Sequence, residues 1–274
     1  MGRMDIAAGV RITGLRQHRA WLAKVTPPVE RLAADLWSIP VPIPNSSLRY
    51  VSVYVLAGDG GLTLVDAGWD SDESWVSLRD GLASIGAAIT DVRVRVPGWT
   101  LRAIHTPGHT AGHLAFFAES RGLLFSGDHV LPRISPHVPS EIEPDTDALG
   151  DYLASLDKIA GLPAEEVLPA HEWRFTGLAD RVAELIAHHE HRLAELLEVI
   201  RRSPGLVAWQ MAGELTWSRS WDQYDGFMRV SAVDETMAHI SRLLAIGLIT
   251  ATGEPAPRYF AAHAGPGAGP GGPG

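Results

Sequence analysis

Two histidine-containing loops constrain the fold of this chain most: His105–His113, with the sequence HTPGHTAGH, and Leu124–His129, with the sequence LFSGDH. Each loop contains glycine and adjoins a short apolar run, which is typical of a tight turn at the end of a buried strand. A further histidine, His171, ends the short strand predicted in Glu165–Glu172, EEVLPAHE. The sequence therefore predicts a sheet whose loops bring polar side chains together at one edge.

Three side chains in these loops, His113, Asp128 and His171, are the predicted metal ligands. Imidazole nitrogens and a carboxylate suit Zn²⁺, and Fe²⁺ is the alternative ion. The chain contains no cysteine, which excludes disulfides and thiolate ligands. Three protein ligands leave a position for water, and a metal-bound water can ionise near neutral pH and attack an ester, amide or phosphodiester. No residue is assigned as catalytic.

Periodicity predicts an α/β arrangement around these loops. Strands are expected within residues 36–57, at Leu62–Gly68, in an edge strand at Val92–Val96 and in a hairpin formed by LAFFAES and RGLLFSGDHV. A helix is expected over residues 71–86, and another over residues 147–160. In the first helix, the spacing predicts one buried face formed by Trp75, Leu78, Leu82 and Ile85.

The chain changes character near Leu178. Helices are predicted over residues 181–202, 206–216 and 227–246, followed by a small hairpin, which is the outline of a winged helix. From Arg181 onward there are eight arginines, no lysines and ten acidic residues, so this part has a net charge of −2. That balance lacks the basic patch of a strong DNA-binding module. We expect a helical module that packs on a neighbour rather than on nucleic acid, and a buried packing role for His189.

The ordered set HTPGHTAGH, SGDH and LPAHE resembles the later metal-binding motifs of the metallo-β-lactamase superfamily, over roughly residues 30–180. The resemblance implies that His113 binds a first metal, that Asp128 bridges two metals and that His171 binds a second. It implies a supporting role for Asp66, and His109 is likewise expected to structure its loop rather than to bind the ion. The C-terminal part resembles the winged-helix extension of β-lactamase-like endoribonucleases, and RNA or a small molecule is then the expected substrate.

The chain departs from that superfamily in one respect. None of its twelve histidines lies in the His-x-His-x-Asp-His run that normally opens the metal site. The expected fold is therefore a truncated αββα metallo-β-lactamase sandwich with a C-terminal winged-helix domain, holding one zinc ion at most. Three alternatives are open: a zinc hydrolase acting on an ester, thioester, lactam or phosphodiester; an impaired pseudo-enzyme acting as an interaction protein; or an error in the gene model.

Composition sets the remaining expectations. The net charge of −9 argues against a polyanion-binding protein, and no apolar run approaches the length of a membrane helix. The N-terminus has no secretory apolar core, so a cytoplasmic protein without membrane partners is expected. Apolar sheet surface left by the missing run would favour a homodimer. The expected domains are an arm at 1–29, a metallo-β-lactamase-like domain at 30–180, a winged-helix-like domain at 181–262 and a disordered tail at 263–274.

Overall fold

The structure is a computed structural model that describes residues 9–92, 98–140, 146–253 and 256–262. The edge strand predicted at Val92–Val96 falls mainly, and the tail predicted to be disordered falls wholly, outside the described residues. Among the residues that are described, no helix is long and apolar enough to cross a membrane.

The chain divides into two compact units. Among the described residues, the first contains 9–92, 98–137 and 151–186, and the second contains 138–140, 146–150, 187–253 and 256–262. The division in the C-terminal half falls inside a continuous helix, a few residues beyond the boundary predicted at residue 180.

Short strands and α-helices make up the described part of the first unit. Its strands are β1 (Arg11–Ile12), β2 (Glu30–Ala33), β3 (Leu36–Pro42), β4 (Tyr50–Gly58), β5 (Gly61–Val65), β6 (Arg102–His105), β7 (Leu114–Ala118), β8 (Leu123–Gly127), β9 (Glu166–Pro169) and β10 (Phe175–Thr176). Its helices are α1 (Leu15–Ala23), α2 (Asp72–Ser84) and most of α3 (Ala148–Ala160), and α4 (Leu178–Arg202) begins in it.

These strands form two sheets. One has the order β1-β10-β9-β8-β7-β6 and the other has the order β2-β3-β4-β5. All pairings are antiparallel except that of β8 with β9, which is parallel. The strands predicted within residues 36–57 and the predicted hairpin of β7 and β8 are confirmed. The mixed α/β fold expected from the sequence is confirmed as well.

The core of the first unit has two layers. Between the sheets, Leu36, Tyr54 and Leu56 pack with Phe125 and Leu168, all at most 2% exposed. On the other face of the four-stranded sheet, α2 packs against β3 and β4 through a cluster of Ile39, Val41, Val53, Val55, Leu62, Leu78 and Leu82. Burial of these apolar side chains is the main force that holds the sheets and α2 together.

Helix α2 is confirmed, but its predicted buried face is partly wrong. Ser71 caps the helix by accepting a hydrogen bond from the backbone N–H of Ser74 at 3.2 Å. Leu78 and Leu82 are buried as expected, whereas Trp75 is 50% exposed. Ser74 is buried in the first turn instead, because its hydroxyl donates to the carbonyl of Pro42 at 2.7 Å.

The described part of the predicted N-terminal arm joins the first unit. Strand β1 pairs with β10 at the edge of the six-stranded sheet. Helix α1 follows, and its buried Gln17 lies 3.4 Å from the hydroxyls of Ser38 and Ser52. Residues from Gly9 onward are therefore tied to both sheets.

The second unit contains the rest of α4, with α5 (Ala208–Glu214), α6 (Gly226–Ala245) and a hairpin of β11 (Ile249–Thr252) and β12 (Arg258–Ala261). One apolar core joins all of them, formed by Leu196, Val199, Ile200, Met211, Leu215, Ile240, Leu243, Ile249 and Tyr259. The predicted helices and hairpin are thus present. His189 is 2% exposed, as its place in the apolar stripe predicts, and its Nδ1 lies 3.1 Å from Nε2 of His239.

Candidate metal centre

Four strand ends meet at one edge of the six-stranded sheet. Because β8 and β9 run parallel, their carboxyl ends lie side by side, and Gly127 is in register with Pro169. Strand β7 is antiparallel to β8 and to β6, which brings the start of β7 and the end of β6 to the same edge. Asp128 and His171 follow β8 and β9, and the loop of residues 106–113 joins β6 to β7. The topology therefore places the predicted ligands together, as the sequence suggested.

The loop of residues 106–113 is tightly folded. The N–H of Thr106 donates to the carbonyl of His113 at 2.9 Å, and the N–H of His113 donates to the carbonyl of Thr110 at 3.2 Å. His105 Nε2 lies 2.8 Å from the carbonyl oxygen of Ala111, so this ring also helps to hold the loop. Gly108 has φ +136° and packs so closely against α3 that a Cβ there would lie 2.4 Å from Cβ of Tyr152.

His171 is oriented by the neighbouring sheet. Its Nδ1 lies 2.9 Å from the carbonyl oxygen of Tyr50, and a carbonyl can only accept, so Nδ1 carries the proton. Nε2 then faces Oδ1 of Asp128 at 3.1 Å. Within the described part of the chain this buried Oδ1 has no hydrogen-bond partner. When the ring is neutral, Nε2 and the carboxylate point electron pairs at each other, an arrangement that a proton on Nε2 or a cation would stabilise.

His171 and Asp128 each shift the pKa of the other in the direction that favours its charged form. Burial acts to lower the pKa of His171, but the carboxylate of Asp128 outweighs burial and the pKa is raised overall. Burial acts to raise the pKa of Asp128, but His171 and the other nearby imidazoles outweigh it, so that pKa is lowered. Asp128 is therefore an anion at neutral pH, as a metal ligand must be.

His109 has the same arrangement as His171. Its Nδ1 lies 2.7 Å from the carbonyl oxygen of His137, which again assigns the proton to Nδ1. Its Nε2 lies 3.5 Å from Oδ2 of Asp128. Two imidazoles thus present Nε2 to one carboxylate while each donates Nδ1–H to a backbone carbonyl, the second contact that metal-binding histidines usually make. The backbone hydrogen bond expected of His109 is present, but this geometry favours a ligand role over the supporting role expected from the sequence.

His113 uses both of its ring nitrogens within the protein. Its Nδ1 lies 2.8 Å from the hydroxyl oxygen of Thr106, and its Nε2 accepts the backbone N–H of Asp128 at 3.2 Å. Burial lowers the pKa of His113, which favours the neutral ring that these two contacts require. With both ring nitrogens engaged in this way, the metal-ligand role of His113 stays a prediction. In this structure it holds the backbone of Asp128 against the loop of residues 106–113.

Asp66 lies at the turn after β5 and lines the same cavity as His109, His113 and Asp128. Its backbone has φ +72°, and Oδ1 accepts the N–H groups of Ala67 at 2.6 Å and Gly68 at 2.9 Å. Oδ1 is thereby committed to the turn, which is consistent with a supporting role.

Sequence reasoning did not single out Glu172, although it follows His171 directly. Glu172 is fully buried with φ +68°, and its Oε1 lies 2.6 Å from Nη2 and 2.9 Å from Nε of Arg133. Its other carboxylate oxygen accepts the backbone N–H of Arg133 at 3.2 Å. A buried acid next to a predicted ligand is the signal that could have found it, since such an acid needs a charged partner.

Strand β4 of the four-stranded sheet holds the segment that carries His171. Tyr54 donates its hydroxyl to the carbonyl of Pro169 at 2.8 Å, and the N–H of Ser52 donates to the carbonyl of Ala170 at 2.7 Å. Tyr50 accepts from His171 and donates its hydroxyl to the carbonyl of Glu172 at 2.6 Å. Alternate residues of one strand thus fix four consecutive residues of the other sheet's loop.

The donor set of the site fits a metal ion in its chemistry. His109, Asp128 and His171 offer two Nε2 atoms and a carboxylate, and the orphaned Oδ1 of Asp128 is the buried polar atom that a cation would satisfy. In the portion of the chain that is described, however, no group of three or more His, Asp or Glu side chains is already spaced as a complete metal site. The donors suit Zn²⁺ or Fe²⁺, and binding requires these side chains to draw closer together.

Comparisons with known proteins agree with the fold and with these motifs. The Metallo-beta-lactamase superfamily model matches residues 89–171. Lactamase-like protein aptB of Emericella nidulans is 37% identical over 122 residues, which are 44% of this chain and 37% of that protein. Atrochrysone carboxyl ACP thioesterase AgnL7 of Paecilomyces divaricatus is 32% identical over 154 residues, covering 55% of this chain and 46% of that protein.

A solved structure extends the likeness beyond the matched motifs. The metallo-beta-lactamase family protein TTHA1429 from Thermus thermophilus has a TM-score of 0.73 and 25% identity, covering 84% of this chain and all of that chain. The two-sheet fold is therefore of the hydrolase type. More specifically, the chain contains a domain of the metallo-beta-lactamase superfamily. Its matched segments span only 37% and 46% of the length of the two curated relatives named above.

Proposed function

We propose that this chain is a metal-dependent hydrolase of esters or thioesters, with one zinc ion held by His109, Asp128 and His171. The observation that carries the proposal is the matched pair of imidazoles, His109 and His171, which present Nε2 to the two oxygens of Asp128. Iron is the alternative ion, since the same ligands suit Fe²⁺. His113, the ligand expected from the sequence, supports Asp128 instead.

A bound zinc ion would supply a Lewis acid and an ionised water near neutral pH. The chain's own residues orient the ligands: the carbonyls of Tyr50 and His137 fix the two imidazole tautomers, and His113 fixes the backbone of Asp128. Ligands held in one geometry need little rearrangement when the ion binds, which favours affinity.

The choice of ester and thioester bonds over lactams and phosphodiesters rests on one relative. The printed name of AgnL7 describes a thioesterase, and this chain is 32% identical to it over 154 residues. Thioesters and oxygen esters share an electrophilic carbonyl, so one site serves both classes. Lactams and phosphodiesters are the remaining members of the expected substrate set and belong in the same screen.

The test is hydrolysis by chain stripped with a chelator and then reloaded with Zn²⁺ or Fe²⁺. We expect release of thiol from S-butanoyl-N-acetylcysteamine only after reloading, and loss of that activity in His109→Ala and His171→Ala. His191→Ala, which changes an exposed histidine of α4, is the matched control. Equal turnover by the stripped and reloaded protein would overturn the proposal.

A second candidate function is an interaction protein without turnover. Two observations favour it: no histidine lies in a His-x-His-x-Asp-His run, and no described group of three donors is already spaced as a metal site. In that case the helical second unit, proposed as a winged helix, would carry the interaction, either as a homodimer contact or with RNA. No metal-stimulated turnover in the screen, together with a concentration-dependent dimer mass by light scattering, would support this candidate.

A further inference from the structure

A cavity of about 340 Å³ lies directly beside the candidate metal centre. Its rim is polar and contains Asp66, His109, Thr110 and Asp128, whereas its walls and floor are built from both sheets. The volume falls near the lower end of the range of about 300–1,000 Å³ that is usual for small-molecule sites. His109 and Asp128 both line the cavity, so a ligand in it would reach donor atoms of the centre.

The floor of the cavity is effectively apolar. Tyr54, Phe125 and Leu168 contribute to it, and the rings of Tyr54 and Phe125 meet edge to face with centroids 5.4 Å apart. The hydroxyl of Tyr54 is already bonded to the carbonyl of Pro169 at 2.8 Å. Ser52, the polar neighbour, lies 3.4 Å from the amide nitrogen of Gln17. Because these polar groups have partners in the protein, water against this floor gains few hydrogen bonds.

One wall is an apolar face of β7. Leu114 and Phe116 are two residues apart, so they lie on the same face of the strand, and both line the cavity. Leu114 is 44% exposed next to the rim. Val65, at the end of β5, lines the cavity as well. Exposed apolar surface beside a polar centre is typical of a ligand-binding groove.

We infer that this cavity binds the apolar acyl group of the substrate, so that the chain selects esters or thioesters of medium-length aliphatic acids. The polar rim receives the carbonyl, and the acyl chain covers Leu114, Phe116 and the floor between the sheets. The inference rests on the proposed function for its account of the carbonyl. It rests on the cavity alone for the choice of an apolar ligand. Poorly held water in the cavity would be released when the acyl chain enters.

The first test measures binding without turnover. Straight-chain alcohols from 1-butanol to 1-decanol are neutral probes that imitate the acyl chain, and calorimetry on metal-free His171→Ala protein removes catalysis from the result. We expect affinity to rise by roughly fourfold with each added CH₂ group until the cavity is full. An affinity that does not depend on chain length would overturn the inference.

Two variants locate the binding in this cavity. Leu114→Trp should weaken 1-octanol binding at least tenfold, because a larger side chain narrows the mouth. Leu22→Trp is the matched control, since Leu22 is 68% exposed and does not line the cavity. Phe116→Ala enlarges the wall and should move the preferred alcohol to a longer chain. If Leu114→Trp and Leu22→Trp have equal effects, and Phe116→Ala does not change the preference, the probe binds elsewhere and the inference fails.

The second test separates this inference from the proposed function. Reloaded wild-type chain is assayed with acyl-N-acetylcysteamine thioesters from acetyl to dodecanoyl. A maximum in kcat/KM at medium acyl-chain length supports both the acyl cavity and the hydrolase function. Turnover with no dependence on length overturns the acyl cavity and leaves the hydrolase. Alcohol binding that depends on length, without any metal-dependent turnover, overturns the hydrolase and leaves the apolar site.

Discussion

Nε2 of His171 lies 3.1 Å from Oδ1 of Asp128, while Nδ1 of the same ring is held 2.9 Å from the carbonyl oxygen of Tyr50. The ring therefore cannot turn away from the carboxylate without losing a buried hydrogen bond. Asp128 is contacted in a similar way by His109, whose Nδ1 is bound to the carbonyl of His137. The carboxylate is thus contacted by both imidazoles, one at each of its two oxygens.

Metal content should follow this geometry. The reloaded wild-type chain is expected to hold about one zinc ion, while His109→Ala and His171→Ala should lose most of it, since each removes a donor atom. His191→Ala should retain the wild-type content, because His191 is exposed on α4. Elemental analysis by mass spectrometry after gel filtration measures all four proteins. Full zinc retention by either ligand variant would contradict the assignment.

His113 and Thr106 should act as one unit in stability. Removing the imidazole in His113→Ala leaves the fully buried Thr106 hydroxyl and the Asp128 N–H without their partner, at a cost of about 1–3 kcal/mol. Thr106→Val removes the other end of the same contact.

The free energy of unfolding from urea titrations gives the double-mutant cycle. We expect the double variant to lose less stability than the sum of the single variants, because both break one contact. Strict additivity would show that the side chains of His113 and Thr106 do not interact.

Two glycines of the same loop should respond differently to alanine. At Gly108, φ is +136° and an added Cβ would lie 2.4 Å from the Cβ of Tyr152, so Gly108→Ala combines backbone strain with a clash. We expect a loss of about 2–4 kcal/mol in unfolding free energy, together with weaker zinc binding at His109. At Gly112 nothing lies within 4 Å of an added Cβ, and Gly112→Ala should change stability by about 0.5 kcal/mol or less. Thermal and urea unfolding distinguish the two, and equal losses would contradict the packing described for Gly108.

The buried pair His189 and His239 should make the second unit sensitive to acid. Burial lowers the pKa of His189 to about 2 and that of His239 to about 4, with Arg192 and His188 acting in the same direction. An unfolded histidine titrates near 6.5, so the unfolded chain binds more protons between pH 6.5 and pH 4. Stability is therefore full above pH 6.5 and falls as the pH drops, by up to about 1.4 kcal/mol per pH unit for each histidine.

The variant His239→Gln removes one titrating group and keeps a polar side chain beside His189. Its unfolding free energy should fall less steeply than that of wild type between pH 6.5 and pH 4, in urea titrations followed by tryptophan fluorescence. His191→Gln is the control, because His191 is exposed. An unchanged slope in His239→Gln would show that this histidine does not penalise protonation. The carboxyl group of Glu235, whose pKa is raised by burial, acts in the opposite direction, because the folded state takes up its proton first, and it does so in wild type and variant alike.

Local sequence patterns were sufficient for most strands and helices of this chain. Alternation and apolar runs predicted β3 and β4 and the hairpin of β7 and β8, since these strands lie next to one another in the chain and the fold. The motif order also predicted that Asp128 and His171 meet at one sheet edge, because strand ends are set by topology. The burial predicted for Trp75 was wrong, because Ser74 is buried instead and its hydroxyl donates to the carbonyl of Pro42. No spacing rule reveals this contact.

The roles of the histidines could not be read from spacing. His109 and His113 lie in one loop, and only the contacts of their ring nitrogens distinguish them. His109 has a ring nitrogen that faces the carboxylate of Asp128, whereas both ring nitrogens of His113 are bound within the protein. Those contacts depend on Thr106 at the start of the same loop, and on His137 and the backbone of Asp128, which belong to other segments. The partner of His189 likewise lies 50 residues away, on α6.

Tyr50, Ser52 and Tyr54 of β4 hold residues 169–172 of the opposite sheet's loop. The aim of the His171 ring is therefore set by the spacing and register of two sheets, rather than by its own loop. A core substitution at Leu36 or Leu56, which have no donor atom and do not line the cavity, would displace the imidazole by shifting one sheet past the other. Tuning of this centre is thus distributed through the packing of the sandwich, and residues far from the chemistry can adjust it.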